Sequence, residues 1–161
     1  MIKNLQNITE RNNQVDEFEE MMLSGDGMFE GYEPIDAPIR NFFTDGLYAR
    51  EISVPADSWI TSKIHKTEFI FVVSKGKLIV SMDNGEEIEI EAPYTGISKP
   101  YSRRVAYVVD DCIWTTFHAN PNNETEAQIE ARIIEKHDNE LLTEEMKNKM
   151  LSVVKKIEIF Q

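Results

Sequence analysis

The chain has 161 residues, 41% hydrophobic and 29% charged, with a formal net charge of −12. That length suits one domain with a core of its own, and the negative charge opposes phosphate backbones, which excludes nucleic acid as a partner. A single cysteine, Cys112, excludes an internal disulfide; no run approaches the ~18 apolar residues of a membrane helix, and the opening MIKNLQNITERNNQ has no apolar signal segment, so a cytoplasmic protein without membrane contact is expected.

An amphipathic helix is expected over residues 13–23, where Val15, Phe18 and Met22 recur at spacings of three and four. Gly25 suits the left-handed position that ends it. The acidic residues of this end, Asp16, Glu17, Glu19 and Glu20 among them, read as solvated surface or as a face for a basic partner. Residues 27–46 hold two prolines and several aromatics and read as an extended arm. Its Phe29, Tyr32, Ile35, Ile39, Phe42 and Phe43 need cover from the rest of the chain or from a neighbouring subunit.

From residue 47 the hydrophobic period changes to two. Strands are expected at 47–54, 59–65, 69–73 and 77–83, with turns at Pro55-Ala56-Asp57 and Ser74-Lys75-Gly76. Asn84-Gly85 is a hairpin signal, because such turns favour residues that tolerate positive φ. Its return strand, 86–91, carries Ile88 and Ile90. Further short strands fall at 96–99, 104–109, 112–118 and 128–134, the last from the alternation of Ile129, Ala131 and Ile133. Strands at this density predict a mainly β protein, an antiparallel sandwich or barrel. A C-terminal helix is expected over 143–156, capped by Thr143, with Glu144 and Glu145 in its first turn and Lys155 and Lys156 in its last. Met146, Met150 and Val153 form its stripe. The organisation is then a helix and arm (1–46), a barrel (47–134) and a helix and tail (135–161). Cys112 reads as a core thiol and His137 as surface.

The segment TSKIHKTEFIFVVSKGKLIVS, residues 61–81, resembles the first motif of cupins, and KPYSRRV, residues 99–105, stands where the second falls. The longer pattern of YARE, I-H-K, S-K-G-K, R-R-V-x-Y and W-T-T-x-H-A is similar to the small cupin-like proteins encoded by tailed bacteriophages. The resemblance covers residues 46–134. It implies a cupin-like antiparallel β-barrel (jelly roll), commonly a homo-oligomer, in the host cytoplasm or incorporated in a virion.

A cupin metal site takes His and carboxylate side chains from inward faces of neighbouring strands, a donor set for transition metals. Against that pattern Lys63 and His65 stand at the two His positions, Phe69 at the Glu position with Glu68 one residue early, and Arg104 at the later His. Two cations thus replace ligands. Three readings of His65 and His118 follow. They hold a divalent transition metal with Glu68; they are hydrogen-bonded strand residues; or, with Lys63, Arg104 and Tyr107, they form a metal-free site for a small anionic ligand, with Arg103 as a further donor. The expected function is non-enzymatic, as an assembly or virion component or an anion binder, with no cofactor. The alternatives are a metal-dependent isomerase or dioxygenase using His65 and His118, and a metal-free epimerase using a His–Asp pair.

Overall fold

The computed structural model describes residues 2–25, 27–149 and 153–157, with the side chains of 2–7 and 149 left aside. Helix α1 (Ile2–Ser24) is longer than the periodicity of Val15, Phe18 and Met22 alone predicts. It buries Val15 and Met22, and on the same side Arg11, Asp16 and Glu19. Glu10, Glu17 and Glu20 stay exposed, so the acidic end is only partly the solvated surface expected of it.

The arm at 27–46 is built from regular pieces. A 3-10 turn (Gly27–Phe29) sets Phe29 in a cluster with Met22 of α1. Strand β1 (Tyr32–Pro34) and strand β2 (Ile39–Thr44) follow. β2 forms a hairpin with β3 (Gly46–Val54), in register Thr44↔Leu47, through Asp45 and Gly46. Gly46 has φ +77, and the Asp-Gly pair is itself a hairpin signal.

The remaining strands are β4 (Ser58–Thr61), β5 (Phe69–Ser81), β6 (Glu87–Glu91), β7 (Tyr94–Ser98), β8 (Val105–Asn120) and β9 (Val153–Lys156). All pairs are antiparallel. The order is β1-β9-β4-β8-β3-β2, with β5 also on β8 and both β6 and β7 on β5, so the sheet curls into a half-barrel. The Asn84-Gly85 turn joins β5 and β6 as expected, with Gly85 N–H donating to the Met82 carbonyl at 2.9 Å.

Two expected chain breaks are bends inside long strands. Ser74-Lys75-Gly76 lies within β5 and Asp110-Asp111 within β8, and the register between the two strands shifts from Val73 to Leu78. A bulge lets a strand bend without leaving its ladder. Gly76 is required there: its φ is +91, and a Cβ would lie 2.3 Å from the Asp111 carbonyl oxygen. β5 and β8 therefore each run through both halves of the half-barrel, folded at one level.

Two further expectations are corrected. Residues 128–134 are not a strand but lie in helix α2 (Glu126–Ile133) and its C-cap. Thr125 accepts from the Gln128 amide while the Gln128 side chain accepts from the Thr125 amide, a capping box. Ile129 and Ile133, four apart, are buried against Tyr48. The C-terminal helix α3 (Glu144–Lys149) is short, though Thr143 caps it as expected, its Oγ1 accepting from the Met146 amide at 3.1 Å. Lys155 and Lys156 end no helix; they pair with Glu33 and Tyr32 in β9. Val153 and Val154 are buried there, which suits β-branched residues on a packed sheet. Met150 lies outside the described residues. The sheet thus draws β1, β2 and β9 from outside the span 47–134. None of the described helices is long and apolar enough to cross a membrane.

Candidate functional site

The curled sheet encloses a cavity of about 420 Å³. Alternation along the strands decides which side chains reach it. β3 contributes Tyr48, Arg50, Ile52 and Val54; β8 contributes Ala106, Val108, Cys112, Trp114, Thr116 and His118; Ser102 and Arg104 precede β8, and Lys63 and His65 follow β4. Ile129 and Ile133 of α2 close one side.

His65 and His118 are brought together, their ring centroids 5.6 Å apart and their planes parallel within 1°. Phe69 packs against both, at 4.5 and 4.9 Å, and Tyr48 stacks on His118 at 6.0 Å. Burial pushes the His65 ring down to about 4, with Arg50 and Lys63 adding to the effect against a hydrogen bond to the Lys63 backbone. Burial likewise pushes His118 down to about 4, followed by the charges of His65, Arg50 and Arg132. At neutral pH both imidazoles are uncharged. His118 Nε2 lies 3.0 Å from Thr116 Oγ1, whereas its Nδ1 is buried without a partner.

Arg104 also lines the cavity. Its amide donates to Ser62 Oγ at 2.9 Å, and its Nε is buried without a partner. Arg50 shares the cavity, opposite Thr116 in the β3–β8 register. Among the described residues, no ion pair and no side-chain hydrogen bond engages either guanidinium. Arg50 is the residue that the sequence reading misses. Its signal is a charge at an inward position of an otherwise apolar alternation, Tyr48, Arg50, Ile52, Val54.

The other expected site residues fall elsewhere. Lys63 reaches the rim and pairs with Glu130 Oε1 at 2.6 Å. Glu68 does not join the histidines; it is exposed just before β5 and pairs with Lys99 at 2.9 Å. Tyr107 lies on the opposite face of β8, in a separate groove beneath α1, and donates to Asp57 Oδ1 at 2.7 Å. Arg103 also turns away from the cavity. Its Nη1 donates to Asp16 Oδ1 at 2.6 Å and its Nη2 to Glu19 Oε1 at 2.7 Å, all three side chains being buried. His137 is exposed, as expected, and its Nε2 is 2.9 Å from both Asp16 carboxylate oxygens. Cys112 is a buried thiol, pushed up to about 11 by burial.

This donor set does not fit a transition metal. Two imidazoles converge without a carboxylate, and an unpaired guanidinium charge acts on both. Among the described residues no group of three His, Cys, Asp or Glu side chains is placed to hold a metal ion. What the arrangement offers is guanidinium N–H donors, an uncharged imidazole pair and an apolar wall, which is the chemistry of anion recognition.

Fold and cavity together define a mainly β protein whose curled antiparallel sheet encloses a cavity lined by two guanidiniums without ion-pair partners among the described residues. No protein-family model and no curated protein matches the chain. Among solved structures it is similar to an uncharacterized conserved protein with a double-stranded β-helix domain from Klebsiella pneumoniae (17% identity, 55% of this chain and 76% of that one, TM-score 0.46). It is also similar to a cupin-2 domain-containing protein from Shewanella frigidimarina (12%, 52% and 80%, TM-score 0.43). A third is the Cnp3 cupin domain of Schizosaccharomyces pombe (13%, 62% and 68%, TM-score 0.45).

Proposed function

We propose that the chain is a non-enzymatic binder of a small anionic ligand held in the half-barrel cavity. One observation carries this reading: Arg50 and Arg104 line the same cavity without an ion-pair partner among the described residues, and Arg104 Nε is buried and unbonded. A buried, unsatisfied charged donor is expensive, and an anion with paired oxygens satisfies it. The two imidazoles, uncharged at neutral pH, add polar contacts without adding charge.

The test is calorimetry and thermal shift at neutral pH with small carboxylates and inorganic phosphate. At least one anion is expected to bind. Arg50→Gln or Arg104→Gln is expected to weaken it by roughly 10- to 100-fold, the range for a hydrogen bond to a charged group. Absence of binding by every anion tested removes the reading.

A second reading, self-assembly, is favoured by β2. This strand ends the sheet, and Ile39, Phe42 and Phe43 are exposed on it. An apolar edge strand is a template for pairing with another chain, here a second copy across a two-fold axis. This is the form in which the phage-type assembly or virion role implied by the sequence resemblance is carried. Light scattering is expected to find a dimer or larger species that Phe43→Lys returns to the monomer. A native protein that is monomeric at tens of micromolar, a range where specific interfaces are largely formed, rejects it.

A further inference from the structure

Resting on the anion-binding reading, we propose that the ligand is an amphipathic monoanion: a carboxylate held by Arg50 and Arg104, with an aliphatic or single-ring tail running to the apolar floor of the cavity.

The polarity of the cavity follows from the bend in its two long strands. β5 and β8 fold at the level of Gly76 and Asp111. The polar donors of the cavity lie near the strand ends, Arg104 just before β8, Thr116 and His118 close to its end, and Arg50 level with Thr116 on β3, with apolar Phe69, Val80 and Ala106 among them. Cavity residues near the bend are apolar: Val54, Leu78, Val108 and Cys112, each no more than 5% exposed. The unsatisfied polar atoms of the cavity, Arg104 Nε and His118 Nδ1, both belong to the polar end. Arg50 and Val54 are four residues apart on one strand, as are Arg104 and Val108 on either side of the other sheet half. At about 3.3 Å per residue each interval spans roughly 13 Å. The cavity therefore gathers its polar donors at one end and is apolar at the bend, over the length of a short chain or a ring.

Charge disfavours a polyanionic head. Three cations line the cavity, Arg50, Lys63 and Arg104, against three carboxylates, Asp36, Glu126 and Glu130. Lys63 is held by Glu130. The site thus has no net excess of positive charge for a polyanion, and the chain's net charge of −12 repels one at long range. One carboxylate matches the guanidinium donors without overloading the site. Trp114 and Phe69 on the walls suit a ring or a methylene chain equally.

Calorimetry on the full chain with acetate, butanoate, hexanoate, benzoate and inorganic phosphate decides this. Affinity is expected to rise by roughly fourfold per methylene from acetate to hexanoate, the factor for burying one CH₂. Phosphate is expected to bind more weakly than hexanoate or benzoate. Cys112→Leu, which fills the floor, is expected to abolish the gain from butanoate to hexanoate and to leave acetate unchanged. If that variant does not fold, the series on the native protein decides alone. Equal affinity along the series, or tightest binding of phosphate, overturns the amphipathic ligand while leaving anion binding in place. No binding by any of the five overturns both.

Discussion

Replacing Arg103 with methionine is expected to destabilise the protein by about 3–5 kcal/mol, the usual loss when one partner of a buried ion pair is removed. Arg103 is 4% exposed and bonds to Asp16 and Glu19, themselves 8% and 4% exposed. Around them stand Asn139 Nδ2, donating to the Asp16 carbonyl and to Glu19 Oε2, Thr61 Oγ1, donating to Glu19 Oε1, and His137 on Asp16. Arg11 closes the cluster, its Nε donating to the Arg103 carbonyl at 2.9 Å. Arg103→Met leaves two buried carboxylates between α1 and the sheet without their guanidinium partner. The triple variant Arg103→Met, Asp16→Asn, Glu19→Gln removes the stranded charges and is expected to recover part of the loss. Urea denaturation at neutral pH measures both. A loss below about 1 kcal/mol for the single variant, the range of an exposed pair, rejects the network as what holds α1 in place.

The second large effect is on acid stability. His65 and His118 titrate near 4 in the folded chain against an ordinary value of 6.5. Their folded-state values are depressed, so the contribution is fully present above pH 6.5, where both states are unprotonated. Between pH 6.5 and about 4 the unfolded chain takes up protons that the folded chain refuses, and stability falls as pH falls. Below about 4 the loss is complete. For His118, 5% exposed, the shift corresponds to on the order of 3 kcal/mol. Unfolding free energy measured from pH 7 to 4.5 is therefore expected to fall more steeply in the native protein than in His118→Gln, the carboxylates contributing alike to both. Parallel curves for the two proteins refute it.

Local signals carried much of the architecture. The alternation over 47–54, the Asn84-Gly85 turn and the stripe of Val15, Phe18 and Met22 each act within a few residues and survive packing. Other segments satisfy two patterns at once. Ile129, Ala131 and Ile133 alternate like a strand, yet Ile129 and Ile133 also share a helix face, and the Thr125–Gln128 capping box decides for the helix. Val153 and Lys156 fit a helix tail, but a place between β1 and β4 selects the strand. Ser74-Lys75-Gly76 has the composition of a chain reversal; only contact with Asp111, far away in sequence, shows it to be a bulge.

The site was legible in the same uneven way. His65, Arg104 and His118 do line one cavity, His118 from within β8 and the other two from the segments beside β4 and β8. Tyr107 fails because it is one residue out of phase with its inward neighbours on β8, and Glu68 because it is exposed just before β5. Arg103 and Arg104 look interchangeable as letters, and only tertiary structure assigns one to α1 and the other to the cavity. Arg50 announces itself solely as a charge among inward apolar residues.

That adjacent pair has a consequence for ligand affinity. The Arg103 amide donates to Asp83 at 3.1 Å and the Arg104 amide to Ser62 at 2.9 Å. With the Arg103 side chain clamped by α1, the backbone that carries Arg104 is already immobilised before any ligand arrives. Under the anion-binding proposal, part of the backbone ordering that binding would otherwise require is already made during folding, while the Arg104 guanidinium itself stays unpaired. Under that proposal, a helix docked on the outer face of the sheet bears on how tightly the inner face holds an anion.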